Sequence, residues 1–108
     1  MFELVEYLDS DGASPFAAWF NQLDAQSAAR VTVALGRLER GNTSSVKGVG
    51  TAVMEYRIDT GPGYRIYFAR DGERLVILLA GGTKRRQEKD IEAAKARWSD
   101  YKKRKRGS

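Results

Sequence analysis

The sequence contains no cysteine and no histidine. The absence of cysteine excludes disulfides and thiolate-ligated metal sites, and it is typical of a cytosolic protein. The absence of histidine excludes imidazole general bases, histidine-ligated zinc and every catalytic triad that contains histidine. Any catalysis by this chain must therefore use lysine, arginine, tyrosine, aspartate or glutamate.

Long apolar runs are also missing from the 108 residues. No window approaches the roughly 18 uncharged apolar residues that a membrane span needs. Residues 1–6 lack the basic and then apolar segments of a secretory signal. These absences predict a cytoplasmic protein without a membrane partner. The length predicts one domain, residues 1–101, followed by a basic C-terminal tail, residues 102–108.

Positive charge is what the chain has in excess, because 19 lysines and arginines face 14 aspartates and glutamates and leave a net charge of +5. Such a balance attracts polyanions such as nucleic acid. Part of the excess lies in the run Lys102–Arg106, which is either a solvated tail or a specific contact. Charge alone therefore indicates a class of partner and does not locate a site.

Alternating and helical apolar patterns predict an α+β fold with the element order β-α-α-β-β-β-α. The predicted strands are residues 2–8, 53–59, 64–70 and 75–80, and the predicted helices begin at Ser14-Pro15, after Asp24 and at Lys84. Short turns join the last three strands, so they should form an antiparallel meander. We expect a helical hairpin packed on a four-stranded, mainly antiparallel sheet. A loop is expected over residues 43–52, and a C-terminal helix over residues 84–103 near the end of the sheet.

Residues 61–68 combine a turn with an alternating strand and are the most informative part of the chain. The Gly-Pro-Gly start supplies a fixed φ at proline and a permitted positive φ at glycine. Tyr64 and every second residue after it should face the core, while Arg65 and Tyr67 face the opposite side. We expect Arg65 and Tyr67 on a solvated sheet face, where a guanidinium and a phenol suit a phosphate and an unstacked base.

Charged residues near this strand could extend the same surface. Glu55 and Arg57 alternate to one face of the preceding strand, and adjacent strands lie about 4.8 Å apart, so Arg57 and Arg65 could hold one anion. A run of three cations, residues 84–86, follows a Gly-Gly pair that would allow a ligand to approach closely. The pattern also fits ordinary ion pairs on an exposed sheet face, and the residues alone leave both interpretations open.

Several sequence blocks, in their order along the chain, resemble the RelE/ParE superfamily of toxins from bacterial type II toxin–antitoxin modules. The blocks are Phe16–Trp19, Leu38–Asn42, Val46–Gly50, Glu55–Ile58, Gly61–Phe68, Leu78–Lys84 and Gln87–Ile91. They span about residues 2–97 and look most like the branch called addiction-module killer proteins, which is related to HigB-type toxins. The fold that this resemblance implies agrees with the predicted element order.

Many members of this superfamily are ribosome-dependent mRNA endonucleases, so the resemblance implies that activity here. It implies attack of a ribose 2′-hydroxyl on the adjacent phosphate without a metal or cofactor, with cations that stabilise the developing charge. The implied catalytic residues are Arg65, Lys84, Arg57, Arg85 and Glu55, and the implied RNA-binding residues are Lys47, Tyr67 and Arg86. Arg65 matches the arginine that contacts the scissile phosphate in RelE-like enzymes.

The chain departs from the best-known RelE pattern at two places. One arginine, Arg57, stands on the strand where that pattern carries two lysines. Gln87 and Glu88 stand in the region where it carries a catalytic tyrosine. These departures leave the general acid and the general base unassigned.

The resemblance also implies partners. A cognate antitoxin, a small helix-turn-helix protein, is expected to cover the basic face or to displace the C-terminal helix. The ribosome and mRNA are the expected targets, and operator DNA would be bound only through the antitoxin complex. The first alternative is a ParE-like DNA gyrase poison without nuclease activity. The second is a module that binds antitoxin and operator with weak or no catalysis.

Overall fold

The structure is a computed structural model that describes residues 1–107. Five strands and three α-helices follow one another as β1 (Glu3–Glu6), α1 (Pro15–Phe20), α2 (Ala25–Glu39), β2 (Val46–Gly50), β3 (Val53–Ile58), β4 (Tyr64–Asp71), β5 (Leu75–Thr83) and α3 (Gln87–Gly107). A short 3-10 helix, Lys84–Arg86, joins β5 to α3. The predicted α+β class is confirmed.

The sheet has five strands, in the spatial order β1-β5-β4-β3-β2. Strands β2 to β5 pair antiparallel, as the meander prediction required, and β1 pairs parallel with β5. The predicted count of four strands is wrong because residues 43–52 were expected to be a loop and contain β2. This edge strand includes two glycines and a bulge between Gly48 and Gly50, and pairing with β3 rather than strand propensity stabilises it.

The helical hairpin begins and ends where the sequence indicates. Ser14 caps α1 by accepting a 3.0 Å hydrogen bond from the Ala17 amide, and Asp24 caps α2 by accepting one of 2.7 Å from Ser27. Gly41, at φ +84°, follows the end of α2 in the left-handed conformation that glycine adopts easily. These caps fix the ends of the two helices, and their apolar sides pack on one face of the sheet.

Helices cover both faces of the sheet. On one face α1 and α2 form a core with the strands, through Phe16, Val31, Ala34, Leu38, Tyr56, Ile66, Phe68, Val76 and Leu78. On the other face α3 forms a second core, through Tyr7, Val53, Tyr67, Ala69, Ile77, Leu79, Ala80, Ala94 and Trp98. The expectation that the second face is solvated is therefore wrong, because α3 lies across it instead of beside the end of the sheet.

The Gly-Gly pair at the end of β5 permits this double coverage. A Cβ atom added to Gly81 would overlap the Trp19 ring on one face, and a Cβ added to Gly82 would overlap the Asp90 carboxylate on the other. The close approach expected of these glycines thus involves the protein's own side chains. Two helices reach the strand at consecutive residues because neither residue has a side chain.

Helix α3 continues to Gly107, beyond its predicted end at Lys103, so the basic residues 102–106 form its last turns. Two hydrogen bonds of 2.6 Å tie its C-terminal half to the ends of β1 and β4: Tyr7, which directly follows β1, donates to Asp100, and Tyr101 donates to Asp71, the last residue of β4. None of the helices described in the structure is both long and apolar enough to cross a membrane.

Candidate nucleic-acid interface

Strand register brings five of the eight predicted site residues into two rows on the α3 side of the sheet, and the other three, Lys84–Arg86, lie in the 3-10 helix after β5. Directly paired residues of neighbouring strands project to the same face. One row joins Arg57 to Arg65 and Arg65 to Gly82. The second row is Lys47, Glu55, Tyr67 and Ala80, each paired with the next. The sequence-based grouping of Glu55, Arg57, Arg65 and Tyr67 on one face is therefore correct.

The middle of both rows is buried, contrary to expectation. Glu55 and Tyr67 are 0% exposed and Arg65 is 1% exposed. The reason is the beginning of α3, where the Gln87 side-chain amide donates a 2.7 Å hydrogen bond to Glu55 Oε2. Sheet alternation predicts which side chains share a face, but it does not predict what covers that face.

Arg65 connects this buried interior to the protein surface. Its Nη1 donates to the Tyr64 carbonyl oxygen at 3.1 Å and lies 3.4 Å from Asp59 Oδ1. Its Nε lies 3.9 Å from Glu55 Oε1. The Asp59 side chain is 72% exposed, whereas the Glu55 side chain is 0% exposed. One guanidinium thus lies between a buried and an exposed carboxylate.

Hydrogen bonding in this buried cluster is incomplete. Across residues 1–107, five buried side-chain polar atoms have no hydrogen-bond partner, and four of them lie here: Glu55 Oε1, Arg65 Nε, Tyr67 OH and Asp90 Oδ2. Buried polar atoms in folded proteins are nearly always paired, and an unpaired one costs about 1–3 kcal/mol. The four atoms therefore mark the place where contacts between the described residues leave hydrogen-bonding capacity open to water or to a ligand.

Two acids of the cluster hold their protons more strongly than usual. Burial first, and then the neighbouring Glu55 carboxylate, raise the pKa of Tyr67. Burial raises the pKa of Asp90, although Arg86 and Arg97 act in the opposite direction. The cluster therefore combines one guanidinium and one paired carboxylate with two groups that favour their protonated forms.

Asp90 was not among the candidates from the sequence. Its carboxylate lies against Gly82, which pairs with Arg65, so it faces the predicted phosphate-binding row. The available signal was the glycine at the end of β5, because a strand glycine indicates close approach of another group. The sequence does not indicate that the approaching group is a carboxylate from α3.

Exposed cations surround the buried cluster. Lys47, Arg57, Lys84, Arg85 and Arg86 are all exposed. Lys84 is held beside the β3–β4 turn, because its backbone amide donates a 2.6 Å hydrogen bond to the Gly63 carbonyl oxygen. Within residues 1–107, no group of three or more carboxylates is arranged to hold a metal ion. The surface has the charge and the exposure that contact with a phosphate backbone requires.

Two comparisons relate the chain to known proteins. The family model described as "Phage derived protein Gp49-like (DUF891)" matches residues 18–99. A protein of Haemophilus influenzae described as uncharacterized is 41% identical over 81 residues, which are 74% of this chain and 82% of that protein. The matched range contains α2, strands β2 to β5 and every site residue predicted from the sequence.

Proposed function

The chain belongs to the Gp49-like phage-derived protein family, which is part of the RelE/HigB-like group of toxin–antitoxin toxins, and from this premise we propose that it is a ribosome-dependent mRNA endonuclease. The finer parts of the proposal are the cleavage reaction, its target and the residues that carry it. They rest on the chain's own geometry and on the resemblance described above.

The observation that supports the proposal most is the direct pairing of Arg57 with Arg65 across β3 and β4. Like charges directly opposite each other destabilise a sheet. Asp59 and Glu55 flank Arg65, but the exposed Arg57 forms no ion pair with another described residue. A bound phosphate would neutralise the positive charge of this pair. Lys84 and Arg85 would bind neighbouring phosphates of the RNA backbone.

The proposed reaction is an internal transfer at phosphorus. Glu55 accepts the proton of a ribose 2′-hydroxyl, the 2′-oxygen bonds to the adjacent phosphorus, and the bond from phosphorus to the 5′-oxygen breaks. A proton from the Asp90 carboxyl or the Tyr67 hydroxyl neutralises the leaving oxygen, leaving a 2′,3′-cyclic phosphate and a 5′-hydroxyl. Arg65 stabilises the charge on the transferring phosphoryl group, the task that fixed donors perform best.

This reaction requires the beginning of α3 to move, because Glu55, Arg65 and Tyr67 are buried in the described conformation. The Gln87–Glu55 hydrogen bond is the polar contact that holds this turn over the cluster. A shift of that turn would let the scissile phosphate enter and would give the unpaired donors and acceptors hydrogen-bond partners. In the proposal, the exposed cations bind first and the buried cluster reacts second.

The family also implies a cognate antitoxin as a partner. We propose the ribosome and its mRNA as the targets, and operator DNA as a ligand only of the antitoxin complex. An antitoxin that covers the exposed cations or displaces α3 would block both steps. A complex that leaves Arg57 and Lys84 open and α3 in place would contradict this mode of neutralisation.

The test is induction of the chain in cells, followed by mapping of mRNA 5′ ends. We expect codon-phased cuts in translated messages. The double variant Arg57→Ala/Lys84→Ala should reduce the cutting rate by at least about 100-fold, because each donor to a transferring phosphoryl group contributes a factor of about 100 or more. Both side chains are exposed, so the stability should change by less than about 0.5 kcal/mol.

The matched control is Arg37→Ala/Arg74→Ala, which removes the same charge from exposed positions on α2 and at the β4–β5 turn. It should cut at nearly the wild-type rate. Intact messages together with induced DNA damage would replace this proposal with gyrase poisoning. Equal loss in the two double variants would show that net charge alone, and not this site, determines activity.

A further inference from the structure

We propose that the pocket between β2 and the end of β3 binds a phosphate of the RNA, and that Asp59 occupies part of this phosphate's place in the free protein. The inference deepens the proposed function and rests on it for the identity of the ligand. It assigns a role to Asp59, which lies outside the predicted site, and it extends the phosphate contact of Arg65 to the side chains that line the pocket.

The pocket has a volume of about 220 Å³ and the lining that a phosphate requires. Its walls are Ser44, Ser45, Val46, Lys47, Arg57 and Asp59. Two cations and serine hydroxyls are typical partners of nucleic-acid phosphates. Register explains the convergence, because Ser45 accepts a 3.0 Å backbone hydrogen bond from Arg57, and Lys47 follows two residues later on the same face.

Asp59 is the only anion in this pocket lining, and it lies between the pocket and Arg65. Its Oδ1 is 3.4 Å from Arg65 Nη1, and its side chain is 72% exposed. Arg57 is exposed, and Arg65 is paired with it across the strands. A carboxylate at this point offsets some of the positive charge that a phosphate would otherwise neutralise.

Exchange of the Asp59 carboxylate for a phosphate costs little. The Asp59 side chain is 72% exposed and its contact with the buried Arg65 is 3.4 Å long, so the carboxylate can turn toward solvent without disturbing the core. Arg65 would keep its bond to the Tyr64 carbonyl and gain a phosphate, whose oxygens suit the paired donors of a guanidinium. Asp59 thus neutralises Arg65 while no RNA is bound and competes with RNA for it.

The experiment compares two substitutions that remove the same negative charge. Asp59→Asn removes the proposed competitor, and Asp11→Asn removes an exposed carboxylate from the loop between β1 and α1. The probe is a fluorescent 2′-O-methyl oligoribonucleotide, which cannot be cleaved by attack of its 2′-oxygen, with affinity measured by anisotropy at fixed salt. Asp59→Asn should bind about two- to fivefold more tightly, because the carboxylate that it removes is largely exposed and its attraction is screened by water, and Asp11→Asn should match the wild type.

A second probe localises the effect. Inorganic phosphate should shift the Arg65 Nε–Hε resonance of the Asp59→Asn protein at lower concentration than in the wild type, and Lys47→Ala should reverse that gain. Equal affinities in the two Asn variants, weaker binding by Asp59→Asn, or absence of binding by all proteins would each overturn the inference. If messages stay intact in cells while the Asp59→Asn protein still binds the oligonucleotide more tightly, the result contradicts mRNA cleavage as the function and supports the phosphate-binding pocket.

Discussion

The two halves of α3 cover the same face of the sheet with opposite chemistry. Under the C-terminal half, Trp98 packs in an apolar core and stacks on Tyr101 with ring centroids 5.4 Å apart. Under the beginning of the helix, ahead of the apolar contacts of Ile91 and Ala94, lie a buried arginine and glutamate whose cluster has four polar atoms without hydrogen-bond partners. The C-terminal half has the features of a stable helix–sheet contact, whereas the beginning of the helix has those of a contact that can open.

This difference shows how one helix can combine an anchor with a movable cover. Hydrophobic packing and the bonds from Tyr7 and Tyr101 hold the far end. At the near end Glu55 Oε1 and Arg65 Nε form an ion pair at 3.9 Å but no hydrogen bond, so opening breaks fewer hydrogen bonds there than it would in a fully satisfied network. Regions of low local stability are also those in which binding sites are commonly found.

The largest expected effect comes from Arg65→Met, which leaves the buried Glu55 carboxylate without its cation. Removing one partner of a buried ion pair costs about 3–5 kcal/mol, so urea unfolding should show a loss of this size. The double variant Glu55→Gln/Arg65→Met should recover most of the loss, because the remaining amide carries no charge. Toxicity assays of Arg65 variants therefore need a stability measurement beside them.

Leu79→Ala provides the matched comparison under the apolar half. It removes a fully buried side chain and should cost about 2–5 kcal/mol through the cavity that it leaves. Glu55→Gln should not restore any of that loss. If it restores as much in the Leu79→Ala background as in the Arg65→Met background, the two halves do not differ in the way described.

A medium effect is expected from Gly82→Ala, because the new methyl group would overlap the Asp90 carboxylate. The beginning of α3 should move outward at a cost of about 1–3 kcal/mol, the usual range for overpacking. Hydrogen exchange should rise near Gln87 and stay unchanged near Trp98. Adding Asp90→Ala should restore protection, and Gly36→Ala, inside α2, serves as the control in which an added methyl fits.

The smallest effects should have opposite signs at the two ends of the helix. Hydrogen bonds from Lys105 and Tyr101 lower the pKa of Asp71 in the folded protein. The contribution of Asp71 to the free energy of unfolding is therefore fully present above its unfolded pKa, about 3.9. It is lost as the pH falls through the lower pKa of the folded state. Burial raises the pKa of Asp90 in the folded protein. Asp90 therefore lowers the free energy of unfolding as the pH rises through that higher pKa and the buried carboxyl loses its proton.

At pH 7, Asp71→Asn should therefore destabilise the protein by less than about 1 kcal/mol, and Asp90→Asn should stabilise it. Both differences should shrink at pH 3, below the ordinary aspartate pKa of about 3.9, because protonation removes the charge that distinguishes aspartate from asparagine. Urea unfolding at the two pH values measures them. The same sign for both variants at pH 7 would contradict the contrast between the two ends.

The sequence predicted the fold class because its signals were local. Ser14-Pro15 and Asp24 start helices through their own caps, and the alternation after Tyr64 assigns residues to faces. Strand β2 was missed because Val46–Gly50 contains two glycines in five residues and becomes a strand only by pairing with β3. Propensity cannot detect an element that a neighbouring strand stabilises.

The site was predicted in part for the same reason. Alternation grouped Glu55, Arg57, Arg65 and Tyr67 correctly, and register confirms that they share a face. Their burial could not be predicted, because charged alternating residues ordinarily indicate solvent. The apolar side of α3 begins only at Ile91, after the turn that covers the cluster, and continues through Ala94, Trp98 and Tyr101. Asp90 and Asp59 enter the site only through tertiary contacts. The roles of all these residues remain predictions.

The parallel pairing of β1 with β5 has a consequence for how the molecule is assembled during synthesis. Strand β1 is made first, but its hydrogen-bonding partner is the last strand to be made. The Tyr7–Asp100 bond joins residues 93 positions apart, and contacts so distant along the chain slow folding. The meander and the hairpin can form early, whereas closure of the sheet waits for β5 and burial of Arg65 waits for α3.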